Sequence, residues 1–208
     1  MKGASQMTKK LIYSLSICFF LSGCSRLNIK ASTYQRVENP IVTMSLEDGQ
    51  KIMIELYPDK APNTVNNFIS LIEDGYYDGL TFHRIIEDYI VQGGDPLMNN
   101  YGSPGYTIKG EFKANGFKNN LRHTKGIVSM ARASDYDSAG SQFFITLDDS
   151  QMLNGSYAGF GRVIEGMDVV EYIARAGLDK EDTPPIIEEV IVDTKMVQYP
   201  EPQVIPLK

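Results

Sequence analysis

Two histidines, His83 and His123, and two cysteines, Cys18 and Cys24, carry all the imidazole and thiol chemistry of the chain. Both cysteines sit in the N-terminal apolar region, far in sequence from either histidine, so zinc sites built from Cys or several His ligands are not expected. No P-loop or dinucleotide fingerprint occurs, and the lone pair Gly93-Gly94 reads as a backbone bend. Asp135-x-Asp137-x-x-Gly140 begins like a calcium loop, but Ala139 offers no side-chain oxygen and Thr146 stands where a bidentate Glu belongs. Ser141, His83 and Asp95 have the residue types of a hydrolytic triad without the spacing of a nucleophile elbow. Asn154-Gly155-Ser156 has the form of a glycosylation sequon and reads as a turn. Neither a metal nor a cofactor is expected.

A dense set of short motifs remains. Phe82-His83-Arg84-Ile85-Ile86 is followed by Tyr89-Ile90-Val91-Gln92-Gly93-Gly94-Asp95. Gly126-Ile127-Val128-Ser129-Met130-Ala131 and Gly140-Ser141-Gln142-Phe143-Phe144-Ile145 come next, and then Leu153-Asn154-Gly155, Phe160-Gly161-Arg162-Val163 and Gly166-Met167. In order and spacing, from about Val42 to Val192, these blocks resemble the cyclophilin family of peptidyl-prolyl cis-trans isomerases. The resemblance implies a mainly β fold, a closed eight-stranded antiparallel β-barrel capped by two α-helices. It also implies proline-containing polypeptides as substrates.

The chemistry so implied needs no acid, base, metal or nucleophile. The X-Pro bond is held by amide resonance behind a barrier of roughly 18–20 kcal/mol. What lowers it is a dry pocket for the ring, a grip on the flanking backbone and a donor aimed at the prolyl nitrogen. By the resemblance Arg84 is that donor, and Gln92 holds Arg84 or a substrate carbonyl. Met130, Phe144 and Leu153 are similar to the floor and walls of the proline pocket, with Tyr89 and Ile90 at its edge. The backbone of Arg132 binds the residue before proline, while Ala131 and Gln142 line the adjoining groove. Phe82 and Phe143 read as core, and His83 as structural.

Departures from the family pattern bear on preference more than on turnover. The chain has no Trp, and Met152 stands where many members place a pocket-edge Trp, so weak cyclosporin binding is expected. Tyr157 replaces a frequent His near the pocket, Tyr89 a Phe, and Arg132 an Asn. Tyr keeps an aromatic face and adds a polar tip.

These residues need a scaffold of strands. Ile41–Leu46 and Lys51–Leu56 are strand-like runs joined by an Asp48-Gly49 hairpin signal. After Pro62, apolar residues at Val65, Phe68, Ile69 and Ile72 share one helix face, and Gly75 closes the helix. Short apolar runs follow at residues 81–86, 89–92, 126–130, 142–146 and 160–163. Residues 166–176 contain a second helix, and residues 186–197 read as a last strand. Many short strands with two helices suit a closed antiparallel β structure.

The chain ends carry a different message. Lys9 and Lys10 precede an uncharged run from Leu11 to Leu21, too short to span a bilayer and of the length of a secretory h-region. The run ends in Leu21-Ser22-Gly23-Cys24, which resembles a bacterial lipobox with Cys24 as the lipidated residue. Met1 and Met7 both suit as the start. Residues 1–23 are thus expected as a signal peptide, 24–39 as the lipidated Cys and a flexible tether, and 40–198 as the domain. The Pro-bearing residues 199–208 are expected as an extended tail without packed structure.

Loss of residues 1–23 removes three lysines and no acid, leaving 17 basic against 26 acidic residues, a formal charge of −9. With no clustered Lys and Arg, nucleic acid is not an expected partner. The expected setting is extracytoplasmic: a monomer anchored in a bacterial cell membrane by lipid on Cys24, with a Gram-positive surface favoured. Two functional readings stand at this point. One is a foldase for exported or surface proteins; the other is a surface binding module, adhesin-like, with incidental isomerase activity.

Overall fold

The computed structural model describes residues 38–178 and 184–207; the signal peptide, Cys24 and nearly all of the expected tether lie outside them. Strands β1 (Ile41–Leu46) and β2 (Lys51–Leu56) form the hairpin that the Asp48-Gly49 turn predicts. Gly49 takes φ +82°, and Asp48 accepts a hydrogen bond from the Gln50 amide at 3.0 Å. Alternation sends Val42, Met44, Leu46, Ile52, Ile54 and Leu56 inward, all fully buried.

Helix α1 (Pro62–Glu73) starts with Pro in its first turn, where no amide hydrogen is needed. Its buried face carries Val65, Phe68, Ile69 and Ile72, as the spacing predicts. Strands β3 (Arg84–Ile86), β4 (Ile90–Gly93), β5 (Tyr106–Ile108), β6 (Ile127–Met130), β7 (Phe143–Thr146) and β8 (Gly159–Glu165) follow. Helix α2 (Met167–Leu178), β9 (Ile187–Asp193) and β10 (Val204–Pro206) complete the chain. Gly166 turns β8 into α2 at φ +85°, and a Cβ there would lie 2.2 Å from the Lys51 carbonyl oxygen, so only glycine fits.

Eight strands form one curled antiparallel sheet in the order β3-β4-β7-β6-β8-β2-β1-β9. The expected barrel closes more sparingly than a full ladder would. The segment leading into β3 meets the start of β9 through one isolated bridge, Thr81 with Ile186, flanked by hydrogen bonds from Gly79 to Ile187 and from Ile187 to Leu80, each 2.8 Å. Inside the curl, the Phe68 ring packs 5.0 Å from Tyr77, 5.0 Å from Phe160 and 5.5 Å from Phe143, tilted or edge-on. The second helix lies against β2, β3 and β4.

The C-terminal segment departs from its expected lack of packed structure. β10 pairs antiparallel with β5 in a second, two-stranded sheet: Val204 with Ile108, Ile205 with Thr107, Pro206 with Tyr106. Each run is three residues long, too short for alternation to show in the sequence, and Pro206 falls at the last rung, where a missing amide hydrogen is tolerated.

Candidate active site

Strand register assembles the site. On adjacent strands, Arg84 of β3 lies opposite Gln92 of β4, and Gln92 lies opposite Phe144 of β7. Residues directly opposite share a face, so the three stand in one row across the sheet. Val91, Phe143 and Ile145, alternating with them, belong to the main core. Phe144 instead joins Ile90 and Leu153 in a separate apolar cluster on the outer face, with Ile86, Tyr89, Ala131 and Tyr157 packed against it.

Hydrogen bonds fix the polar side of the row. Arg84 Nη1 donates to Gln92 Oε1 at 2.9 Å, Gln92 Nε2 to Gln142 Oε1 at 2.8 Å, and Gln142 Nε2 to the Gly102 carbonyl at 2.9 Å. Gln92 is buried while Arg84 is exposed. The guanidinium, permanently charged, is thus held at one atom and keeps its other N–H groups for a ligand.

A groove of about 670 Å³ runs past this row. It is lined by Arg84, Gln92, Tyr89, Ile90, Phe144, Leu153 and Tyr157, together with Ala131, Arg132 and Gln142. The sequence-predicted site residues are brought together with one exception. Met130 is buried in the main core opposite Phe143 and does not line the groove. Its neighbour Ser129 lies opposite Phe144, and the period-2 alternation of β6 turns the Met130 side chain to the other face.

Arg132 is a further finding. Its guanidinium carbon lies 4.7 Å from the Tyr157 ring centre, 5.0 Å from Tyr136 and 5.2 Å from Phe112. Its N–H groups also donate to the Ser156 and Ala133 carbonyls, at 3.1 and 2.9 Å. Its charge therefore fixes the groove wall by clamping Tyr157. Met152 is 75% exposed beside the groove, and the Tyr89 hydroxyl donates to its sulfur at 3.5 Å.

Sequence reasoning missed the group behind Phe144. His123, buried, stacks on the Phe144 ring with centres 6.2 Å apart. Its Nδ1 faces Asn154 Oδ1 at 3.2 Å and its Nε2 faces Ser129 Oγ at 2.9 Å. Asn154 Oδ1 can only accept, so Nδ1 carries the proton and Nε2 accepts the serine hydroxyl. Burial lowers the His123 pKa, with the Asn154 hydrogen bond opposing. The unpredicted wall includes the segment from Asn100 to Ser103 with Thr107 and Leu207, and on another side Ala133, Ser138, Gly140 and Ser141. Asp95 shapes its approach by accepting the amides of Leu97 at 2.8 Å and Asn99 at 3.0 Å. A Cβ on Gly102 would collide with the Asp95 carboxylate.

The imagined triad does not form. Ser141 Oγ donates to the Gly94 carbonyl at 2.7 Å, and neither ring nitrogen of His83 has a hydrogen-bond partner. The His83 side chain is 1% exposed, its Nε2 is 3.9 Å from Asp95, and burial lowers its pKa against the pull of that carboxylate.

Residues 41–196 match the sequence family described as cyclophilin type peptidyl-prolyl cis-trans isomerase/CLD. The chain belongs to this family. Peptidyl-prolyl cis-trans isomerase B of Bacillus subtilis is 46% identical over 136 residues, 65% of this chain and 92% of that one. Peptidyl-prolyl cis-trans isomerase CYP18-2 of Arabidopsis thaliana is 41% identical over 159 residues, 76% and 94% of the two chains. Among solved structures, a cyclophilin-type isomerase of Cryptosporidium parvum, crystallised in the presence of the dipeptide Ala-Pro, aligns with a TM-score of 0.64. Its sequence identity is 31%, and the alignment covers 74% of this chain and 98% of that one. This cyclophilin is accordingly an enzyme of the peptidyl-prolyl cis-trans isomerase class.

Proposed function

We propose that the protein is a membrane-anchored, extracytoplasmic foldase that speeds X-Pro rotation in exported or surface proteins, with Arg84 as its catalytic donor. The isomerase half of this reading rests most on the row Arg84, Gln92, Phe144, which sets a fixed cation beside an apolar pocket. The proline ring enters the cluster of Ile90, Phe144 and Leu153, shedding water as it does so. Twisting the amide localises a lone pair on the prolyl nitrogen. An Arg84 N–H donates to it, and Gln92, held by Gln142, keeps the guanidinium from swinging away. A charge-assisted hydrogen bond contributes roughly 1.5–3 kcal/mol net. Formed only in the twisted state, it speeds rotation by about one to two decades.

The backbone of Arg132 grips the residue before proline. Weak cyclosporin binding belongs to the same reading, because the thioether of Met152 offers no N–H donor at the rim. The extracytoplasmic half rests on the lipobox-like Leu21-Ser22-Gly23-Cys24 and the acidic body.

Arg84→Ala in residues 25–208 is expected to lose about 10- to 100-fold in kcat/KM on a short X-Pro peptide while its unfolding temperature stays near wild type. Wild-type acceleration that survives in the mutant removes Arg84 from the mechanism. No acceleration from a folded wild type favours the binding-module reading. In cells, an Arg84→Ala strain that matches wild type in every phenotype of a deletion strain defeats the foldase role.

A further inference from the structure

The family match ends at residue 196, yet the ordered chain continues beyond it. Tyr199 packs against the main core. Pro200 and Pro202 then fix two backbone φ angles and direct an extended path. Gln203 is gripped at both backbone polar groups: its amide donates to Asn63 Oδ1 at 2.7 Å, and Asn63 Nδ2 donates to its carbonyl at 3.0 Å. Val204–Pro206 then pairs with β5, and Leu207 arrives in the groove wall.

This strand adds little to the core. Val204, Ile205 and Leu207 remain 45%, 41% and 54% exposed. What it shapes is the groove. Its partner Thr107 also lines that groove, as does Tyr101, itself 85% exposed. These residues lie beyond the amide relay that runs from Arg84 through Gln92 and Gln142 to Gly102, away from the proline-pocket cluster. Gly140 ties the two regions together, since a Cβ on it would lie 2.9 Å from Pro104 Cδ and 3.3 Å from the Tyr106 carbonyl oxygen. A solvent-facing apolar surface inside a substrate groove fits an apolar ligand group.

We propose that residues 203–207 are a built-in wall of the substrate groove and that Leu207, with Tyr101 and Thr107, forms a subsite for an apolar side chain a few residues from the proline. The inference rests on reading the groove as the isomerase site. It makes the C-terminal strand a selector among proline-containing segments, favouring those flanked by apolar residues.

The test uses residues 25–208, the same chain ending at Glu201, and the uncharged point variant Leu207→Ser, which leaves the β10 pairing residues 204–206 unchanged. Peptides share one X-Pro core and carry Leu or Asp two to four residues from the proline on either side. Affinity is read by fluorescence anisotropy of labelled peptides and turnover by kcat/KM. The full chain is expected to favour the best Leu peptide over its Asp counterpart by about five- to tenfold. Both variants are expected to bring that ratio close to one. A ratio unchanged in both variants overturns the subsite. So does an equal rise in affinity for all peptides on truncation, because the strand is then a plug. If the full chain binds these peptides but turns none over, the isomerase reading fails, and the binding ratio still decides the subsite.

Discussion

Arg84 and Gln92 matter as a pair because neither is useful loose. An arginine on an edge strand would ordinarily sample many rotamers in water. Here a buried amide holds one nitrogen at 2.9 Å, and that amide is held in turn by Gln142. The two histidines lie outside this hydrogen-bonded row, yet they contribute to how the protein responds to mild acid. Both have pKa values pushed below the ordinary 6.5 by burial. A folded state that resists protonation loses ground to an unfolded state that accepts it. Stability is therefore expected to be level above about pH 7 and to fall as pH drops below 6.5 toward the folded-state values. Unfolding temperature measured from pH 8 to pH 5 checks this, and His123→Gln is expected to flatten part of the decline. At this scale the motif blocks made Arg84, Gln92 and Phe144 legible. Met130 was misplaced because a motif gives neighbours in sequence, whereas the face a side chain takes depends on strand parity. His123 was missed because it stands outside every block and acts through stacking.

Helix α1 begins without a side-chain cap of its own. A carboxylate from far along the chain does that work. Glu111, buried, accepts the Asn63 amide at 3.1 Å and the Thr64 amide at 2.8 Å, and the Thr64 hydroxyl at 2.7 Å. A negative charge at a helix N-terminus is favoured by the helix dipole as well as by the hydrogen bonds. The next residue, Phe112, is one ring of the Arg132 clamp. Glu111→Ala is expected to cost about 1–3 kcal/mol of stability by denaturant unfolding. It is also expected to raise KM more than it lowers kcat, because the clamp on Tyr157 loosens while Arg84 stays in place. Equal effects on both parameters would point to a general loss of fold. Most elements were legible, since their alternation or helical spacing is strong. β5 and β10 were not, because each pairs only with the other, across about a hundred residues that local sequence does not connect.

Across the whole molecule, the proposed anchor has to be weighed against charge. A body of formal charge −9 after loss of residues 1–23 has no attraction for an anionic bilayer. In the proposed setting, membrane residence would rest on lipid at Cys24, since two acyl chains suffice for stable anchoring. Cys24→Ala is expected to move the protein from the membrane fraction to the soluble extracytoplasmic fraction and to abolish labelling by a fatty-acid analogue. A variant that stays on the membrane without label refutes the lipid anchor. Among the described residues no helix is long and apolar enough to cross a membrane.

The sheet places its first strand beside its last. β1 is flanked by β2 on one side and by β9 on the other. A polypeptide that emerges N-terminus first makes its opening hairpin at once, but the other edge of β1 stays open until Ile187 has appeared. Such pairing has high contact order and is slow to form. A chain cut short before β9 therefore offers a bare hydrophobic-backed edge, the kind of template on which strands of other molecules add. The edge of β1 is therefore covered only once the chain reaches Asp193, and a polypeptide cut short before Ile187 is expected to aggregate or be proteolysed more readily than the finished one.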